Sequence, residues 1–273
     1  MTRFFKLSGG GNDFIALAEP AEDPPAASIT AWCRRGISEG ADGVFLLERE
    51  PGAVRMRHFN ADGTAAELCV NGTRCAARLA FELGWATDEV RITTDAGSLV
   101  ASRAAAGAVS LEMMAPSGTA RPLELTLDDA TWHGWYLIVG VPHLVLFWDR
   151  PMAEAPVSTV GRSLRWHADL APDGANVDFV SVSSAHDLEL RTFERGVEAE
   201  TLACGSGALA AAAVVLAQER AELPLTVLTK GGFRLVIEPA EQNGFWRITG
   251  DARLVASGEL AVDAAIEAEA PGW

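Results

Sequence analysis

The chain has 273 residues, 49% of them hydrophobic, enough for one large domain or two ordinary ones with complete cores. Its formal net charge of −15 argues against nucleic acid and anionic membranes as partners, because both attract basic surfaces. No apolar run approaches the roughly 18 residues of a membrane span, and glycines 9–11 interrupt what a secretory leader needs, so reduced cysteines in a cytoplasmic protein are expected.

Taken in order, Phe4–Leu7 and Phe14–Leu17 read as strands around a tight Ser8–Asp13 turn with Asn12 at its tip. A Pro- and Ala-rich loop, 19–28, leads to a short helix, Ile29–Arg35, whose Cys33 reads as a core residue. Val44–Leu47 and Val54–Phe59 are strands. From Cys69 a helical pattern runs to Gly84, a natural C-terminal cap. Val90–Thr94, a turn at Asp95–Gly97 and strands through Met114 follow. Pro116–Pro122 reads as a linker, and beyond it the pattern starts again. Trp135–Val139, a turn at Gly140–His143, Leu144–Trp148, a helix over Val157–His167, and strands at Ala175–Val182 and Leu188–Phe193 come before Cys204. After it the apolar run Ala208–Leu216 has strong helix propensity and almost no polar face, so it should be buried all round. Strands at Leu225–Leu228, Arg234–Ile237, Trp246–Thr249 and Arg253–Glu259 finish the chain.

The order of these elements repeats. The interval from Cys69 to Gly97 equals that from Cys204 to Gly232, and Val54–Phe59 parallels Leu188–Phe193. An α/β (α+β) fold of two pseudo-symmetric domains is therefore expected, each a mixed sheet or barrel wrapped around one buried helix. The expected boundaries are 1–117 and 118–259, with a tail, 260–273. Each helix begins at a cysteine, where unpaired N–H groups and the helix dipole favour a thiolate and can grip a carboxylate. A pseudo-twofold arrangement places Cys69 and Cys204 face to face.

Two opposed thiols suit proton transfer on both faces of one carbon, the α-carbon of an amino acid, with no cofactor. Rival chemistries fit less well. A pyridoxal enzyme needs a Schiff-base lysine, and the only lysines, Lys6 and Lys230, lie on or beside strands. Zinc wants paired ligands, and there is no C-x-x-C. A Cys204–His143 protease leaves Cys69 unexplained. A redox disulfide between Cys69 and Cys204 stays open, and inert burial, the default for one lone cysteine, does not suit two in matched Gly-flanked helix starts.

Gly11-Asn-Asp-Phe14, Phe59-Asn-Ala-Asp-Gly63, Cys69-x-Asn-Gly-Thr-Arg-Cys75, Pro142-His143, Asn176-Val177, Phe193-Glu-Arg-Gly196 and Glu200-Thr-Leu-Ala-Cys-Gly-Ser-Gly207 together resemble diaminopimelate epimerases across nearly the whole chain. The resemblance implies a cofactor-independent enzyme, usually a homodimer, that interconverts LL- and meso-diaminopimelate on the route to lysine and peptidoglycan. It implies that Cys69 and Cys204 are the acid/base thiols and that His143 and Glu194 support them. It places the amides of Val70, Asn71, Gly205 and Ser206 at the reacting carboxylate, and Asn12, Asn60, Asn176 and Arg195 at the substrate's polar ends.

Three positions depart from the family pattern near the substrate. Val70 stands for a glycine, Val141 for an asparagine and Gly43 for a glutamine. A related racemase or epimerase with another substrate is the first alternative. A non-catalytic small-molecule binder on the same fold is the second, against which the presence of both cysteines speaks.

Overall fold

The computed structural model describes residues 2–66 and 68–260. Its strands are β1 Thr2–Gly9, β2 Asn12–Ala18, β3 Gly43–Glu50, β4 Ala53–Asn60, β5 Ala65–Ala66, β6 Glu89–Thr94, β7 Gly97–Arg103, β8 Val109–Met114 and β9 Arg121–Leu127. Then come β10 Ala130–Val139, β11 Val141–Phe147, β12 Asn176–Ser184, β13 Asp187–Glu194, β14 Ala199–Thr201, β15 Leu225–Thr229, β16 Arg234–Pro239, β17 Phe245–Gly250 and β18 Arg253–Leu260. The α-helices are α1 Ala26–Cys33, α2 Val70–Glu82, α3 Arg162–Arg165 and α4 Gly205–Ala217.

Contacts divide the chain into two units. The first takes the chain as far as Leu111 and again from Asp251; the second is Glu112–Gly250. Arg253–Glu259, expected in the second half, pairs antiparallel with β1, which brings it into the first unit. Of the expected tail, everything after Leu260 lies outside the described residues.

In the first unit the ladder runs β18–β1–β2–β3–β4–β6–β7, parallel at β2–β3 and β4–β6 and antiparallel elsewhere. In the second it runs β9–β10–β11–β12–β13–β15–β16–β17, parallel at β11–β12 and β13–β15. Both are mixed, mostly antiparallel sheets in an α+β fold. The duplication read from the intervals therefore exists as a repeated pairing scheme. Residue equivalences follow from the register. Val44 pairs with Phe59 as Val177 pairs with Phe193, and Phe14 meets Gly43 as His143 meets Asn176.

Each sheet packs on one long helix, with α1 also against β3 and α3 against β9 and β12. α2 lies against β1, β2, β4, β6, β7 and β18; α4 lies against β10, β11, β12, β13 and β16. The small side chains of α4 allow the sheet a close approach, and most residues from Gly205 to Val215 are buried, as its all-apolar sequence requires. α2 ends as its sequence indicates. Gly84 takes φ +71°, and Trp85 N–H bonds back to Ala80 O at 2.9 Å, filling carbonyls the last turn leaves open.

Several local expectations change. Asn12 is not a turn tip but the first residue of β2, paired with Gly9. Val141–His143 is not a turn. Gly140 alone reverses the chain at φ +70°, and Val141 pairs with Val139. The linker ends early, because Arg121 and Pro122 already belong to β9. Proline is tolerated there on a strand with one bonded neighbour. The alternation Leu123-Glu-Leu-Thr-Leu127 was the legible signal of β9. The first helix starts three residues earlier than expected, immediately after Pro25, which cannot itself sit inside a helix. The expected Val157–His167 helix is a π-type turn, Val157–Gly161, followed by α3.

Candidate active site

The two helix starts have the same local geometry. Cys69 is the N-cap of α2, in extended backbone, and its Sγ accepts the N–H of Gly72 at 3.4 Å. Cys204 is the N-cap of α4, and its Sγ accepts the N–H of Gly207 at 3.4 Å. In each case sulfur replaces the oxygen that commonly caps a helix, leaving further N–H groups of the first turn for another acceptor. Val70 and Asn71, and Gly205 and Ser206, supply those groups. All four cysteines are free thiols; Cys69 is partly exposed and Cys33, Cys75 and Cys204 are buried.

In the first unit the structure joins Asn71 to Asn12. Asn71 Nδ2 donates to Asn12 Oδ1 at 2.7 Å, and Asn12 Nδ2 donates to Asp42 Oδ2 at 3.1 Å. Arg35 bridges Asp42 and Asp13, and Lys6 pairs with Asp13, so a charged cluster anchors the start of β2. Gly10 closes over this pair, and a Cβ there would lie 3.0 Å from the Asn71 amide. Asn60, exposed at the end of β4, donates to Thr64 Oγ1 at 3.1 Å in its own turn.

In the second unit the network is denser. His143 and Asp178 are both fully buried, with Nδ1 2.7 Å from Oδ2. An Nδ1–H donated to this carboxylate leaves Nε2 as an acceptor facing Asn176 Nδ2 at 3.4 Å. Asn176 Oδ1 accepts the Arg195 N–H at 2.7 Å, and Thr192 Oγ1 donates to Asp178 Oδ1 at 2.7 Å. Asp178 thus holds the strands beneath α4 together. A Cβ on Gly207 would meet Asp178 Oδ1 at 2.6 Å, so this glycine lets the helix start approach the carboxylate.

These surroundings act on Cys204. Burial first, then the negative charges of Glu194 and Asp178, push its thiol well above the usual cysteine value. Hydrogen bonds from Ser206 and the Gly207 amide pull the other way and are outweighed. The helix start alone pointed to a thiolate here; burial, and after it the charges of Glu194 and Asp178, favour the thiol instead.

The equivalent strand positions in the first unit carry Phe14, Phe45 and His58 where the second carries His143, Asp178 and Thr192. Phe14 stacks edge-on against His58, with ring centroids 5.7 Å apart. Both ring nitrogens of His58 lack hydrogen-bond partners among the described residues, and burial lowers its pKa from 6.5 to about 4. Gly43 makes room for it, since a Cβ there would lie 2.9 Å from His58 Nε2 and 2.6 Å from Phe59 O. A consequence is measurable. Above pH 6.5 His58 is neutral folded or unfolded, and its contribution to stability is fully present. As pH falls below 6.5 the unfolded chain binds the proton first, and about 3 kcal/mol is lost by the time the pH reaches about 4. Urea unfolding should show the loss of stability between pH 7 and 4 shrinking in His58→Leu; an unchanged loss refutes the assignment to His58.

Sequence reasoning missed Asp178, Thr192 and Arg74 as members of these clusters. Arg74 is fully buried in α2, with Nη2 donating to Asn71 Oδ1 at 2.6 Å. Among the described residues no group of three or more His, Cys, Asp or Glu could hold a metal ion. No helix among them is long and apolar enough to cross a membrane.

Comparison with known proteins identifies one family over nearly the whole chain. A diaminopimelate epimerase family model matches residues 4–118 and 135–255. The diaminopimelate epimerase of Aquifex aeolicus is 34% identical over 277 residues, covering 94% of this chain and 97% of that protein. Among solved structures, a PhzF-family phenazine biosynthesis protein from Enterococcus faecalis superimposes with a TM-score of 0.70 at 17% identity, covering 96% of this chain and 99% of its own. A hydroxyproline epimerase from Agrobacterium vitis, with trans-4-OH-L-proline bound, does so with a TM-score of 0.65 at 16% identity, covering 96% and 93%. These two likenesses concern the fold.

Proposed function

The chain belongs to the diaminopimelate epimerase family, and from that premise we propose that it interconverts LL- and meso-2,6-diaminopimelate with two thiols and no cofactor. The observation that carries the proposal is the matched pair of cysteine-capped helix starts. One sulfur, as thiolate, takes the α-proton, and the C–H electron pair stays on the carbon and spreads into the carboxylate. The amides of Val70, Asn71, Gly205 and Ser206 hold that carboxylate as its charge grows. The other sulfur, as thiol, delivers its proton to the opposite face. One proton has been taken and one given, so the two sulfurs end with their roles exchanged.

Asn12, Asn60, Asn176 and Arg195 bind the polar ends of the substrate in this reading. His143 supports Cys204 through Asp178, and Glu194 adds negative charge beside the same thiol. The enzyme works as a homodimer in the cytoplasm, supplying lysine and peptidoglycan synthesis.

A second reading, an epimerase for a different amino acid, draws on Gly43 and Val141. The space beside Gly43 is filled by His58, and Val141 offers no side-chain amide from β11. One experiment addresses both readings. Incubated in deuterium oxide, the reduced enzyme should wash deuterium into the α-position of LL- and meso-diaminopimelate. Exchange into neither isomer, but into another member of an amino-acid panel, establishes the second reading instead.

A further inference from the structure

Arg74 is wholly buried, and of its three guanidinium nitrogens only Nη2 is engaged; Nε and Nη1 have no hydrogen-bond partner among the described residues. Arginine stays protonated throughout the working range, so this is a buried positive charge with unused donors. Keeping such a charge from water is costly unless an anion answers it.

The candidates are three. Cys69, Cys75 and Asp251 each interact favourably with the Arg74 charge. Asp251 is committed, accepting from the Gly10 N–H at 2.9 Å and from Arg253 at 2.9 Å. Cys75 is fully buried, and burial keeps it a thiol. Cys69 caps the same helix and is the more exposed of the two sulfurs.

We propose that Arg74 is a positioning residue of the first half-site: it backs Cys69 with a fixed positive charge and orients Asn71 and Asn12, so that the resting enzyme carries its thiolate on Cys69 and its proton on Cys204. The proposal rests on the two-thiol reading above. The second half-site is built the opposite way. Counting from each capping cysteine, Leu209 occupies the place of Arg74, and Asp178 occupies the strand position of Phe45. One thiol has a buried cation behind it, and the other has buried carboxylate charge beside it.

Among the described residues, the other charges around α2 are engaged or exposed; on β18, Arg253 pairs with Asp251 and Glu259 is exposed. On α2 itself, Arg78 bonds Glu82 and backbone carbonyls. On β4, Arg55 and Arg57 pair with Asp95 and Asp23, and His58 is neutral. Lys6 of β1 pairs with Asp13, and Arg35, which follows α1, pairs with Asp13 and Asp42. On β3, Glu48 pairs with Arg57 and Arg49 with Glu19. The charges of β6 and β7, Glu89, Arg91 and Arg103, are exposed.

The test is brief iodoacetamide labelling of the full chain, without substrate, from about pH 5 to 10, with each cysteine peptide quantified by mass spectrometry. The midpoint of a labelling profile reports the sulfur's charge independently of how exposed it is. In the wild type the Cys69 midpoint should lie about one pH unit or more below that of Cys204. Arg74→Met should raise the Cys69 midpoint by about one to two units and leave that of Cys204 in place. Arg74→Lys, which keeps the charge and loses the fork, should stay within about half a unit of wild type and lower kcat.

A Cys204 midpoint at or below that of Cys69 overturns the proposal. So does an Arg74→Met profile that superimposes on wild type. If Arg74→Met does not fold, the wild-type order and Arg74→Lys decide, and a Lys variant whose Cys69 midpoint rises by a full unit also overturns it. Labelling reads the free sulfurs, whereas deuterium exchange reads the reaction. A labelling failure with exchange intact removes only this proposal, and the reverse removes only the epimerase reading.

Discussion

Cys204→Ala is expected to lower epimerisation by about 10³-fold or more, the scale of a general acid/base group removed from its only position. The loss should fall on inversion rather than on binding. Cys69 and the amides of α2 remain, so the variant should still exchange the α-hydrogen of one isomer with solvent while failing to produce the other. Chiral separation of product, beside deuterium content of recovered substrate, distinguishes the two events. Folding should survive, because alanine fills a site lined by the small residues of α4 and loses only the Sγ contacts with Gly207 and Ser206. Turnover within tenfold of wild type would mean that one base serves both faces and that the matched helix starts are only structural. Cys69→Ala should mirror this result, with exchange confined to the opposite isomer.

Asp178→Ala is expected to destabilise the fold by about 2–5 kcal/mol, because two buried donors are each left unsatisfied at about 1–3 kcal/mol. The carboxylate is wholly buried and accepts from Thr192 and from His143, so its loss leaves two buried donors without an acceptor. Asp178→Asn should cost roughly half as much, because its amide oxygen can still accept from Thr192 while its NH₂ group faces the His143 ring. Urea unfolding at neutral pH measures both. A loss below about 1 kcal/mol for Asp178→Ala would show that water replaces the carboxylate. With the negative charge gone, the Cys204 thiol should also ionise at lower pH, which the labelling profile reads directly.

Much of this was legible in the chain. The repeat could be seen because the same intervals separate the capping cysteines from the later glycines and strands, and it returned as two ladders with the same parallel and antiparallel steps. β9 could have been found by its alternation but was hidden by the two prolines that framed a linker. Asn12 and Val141–His143 were assigned to turns because Gly-Asn and Gly-x-Pro are turn formers. In the folded chain Gly10, Gly11 and Gly140 make the reversals with positive φ, and the residues after them are already strand.

Asp178 and Arg74 were harder to find. Both sit among neighbours that are themselves buried. Val177, Asp178 and Phe179 are all inaccessible, so no alternation distinguishes an inward face. Arg74 lies in a helix turn whose residues are also nearly all buried. A charged residue in such a run reads as a surface residue until its burial is known.

By itself, then, the sequence determined the α+β architecture, its duplication and the two cysteine-capped helices, because these rest on local propensity, capping chemistry and spacing along one chain. The tertiary structure alone decided what stands behind each sulfur. Strand register sets Asp178 and His143 beneath one helix start and Phe45 and Phe14 beneath the other, while burial leaves Arg74 a charge with unused donors. Those differences arise from the packing of distant segments and the exclusion of water, which no local pattern encodes.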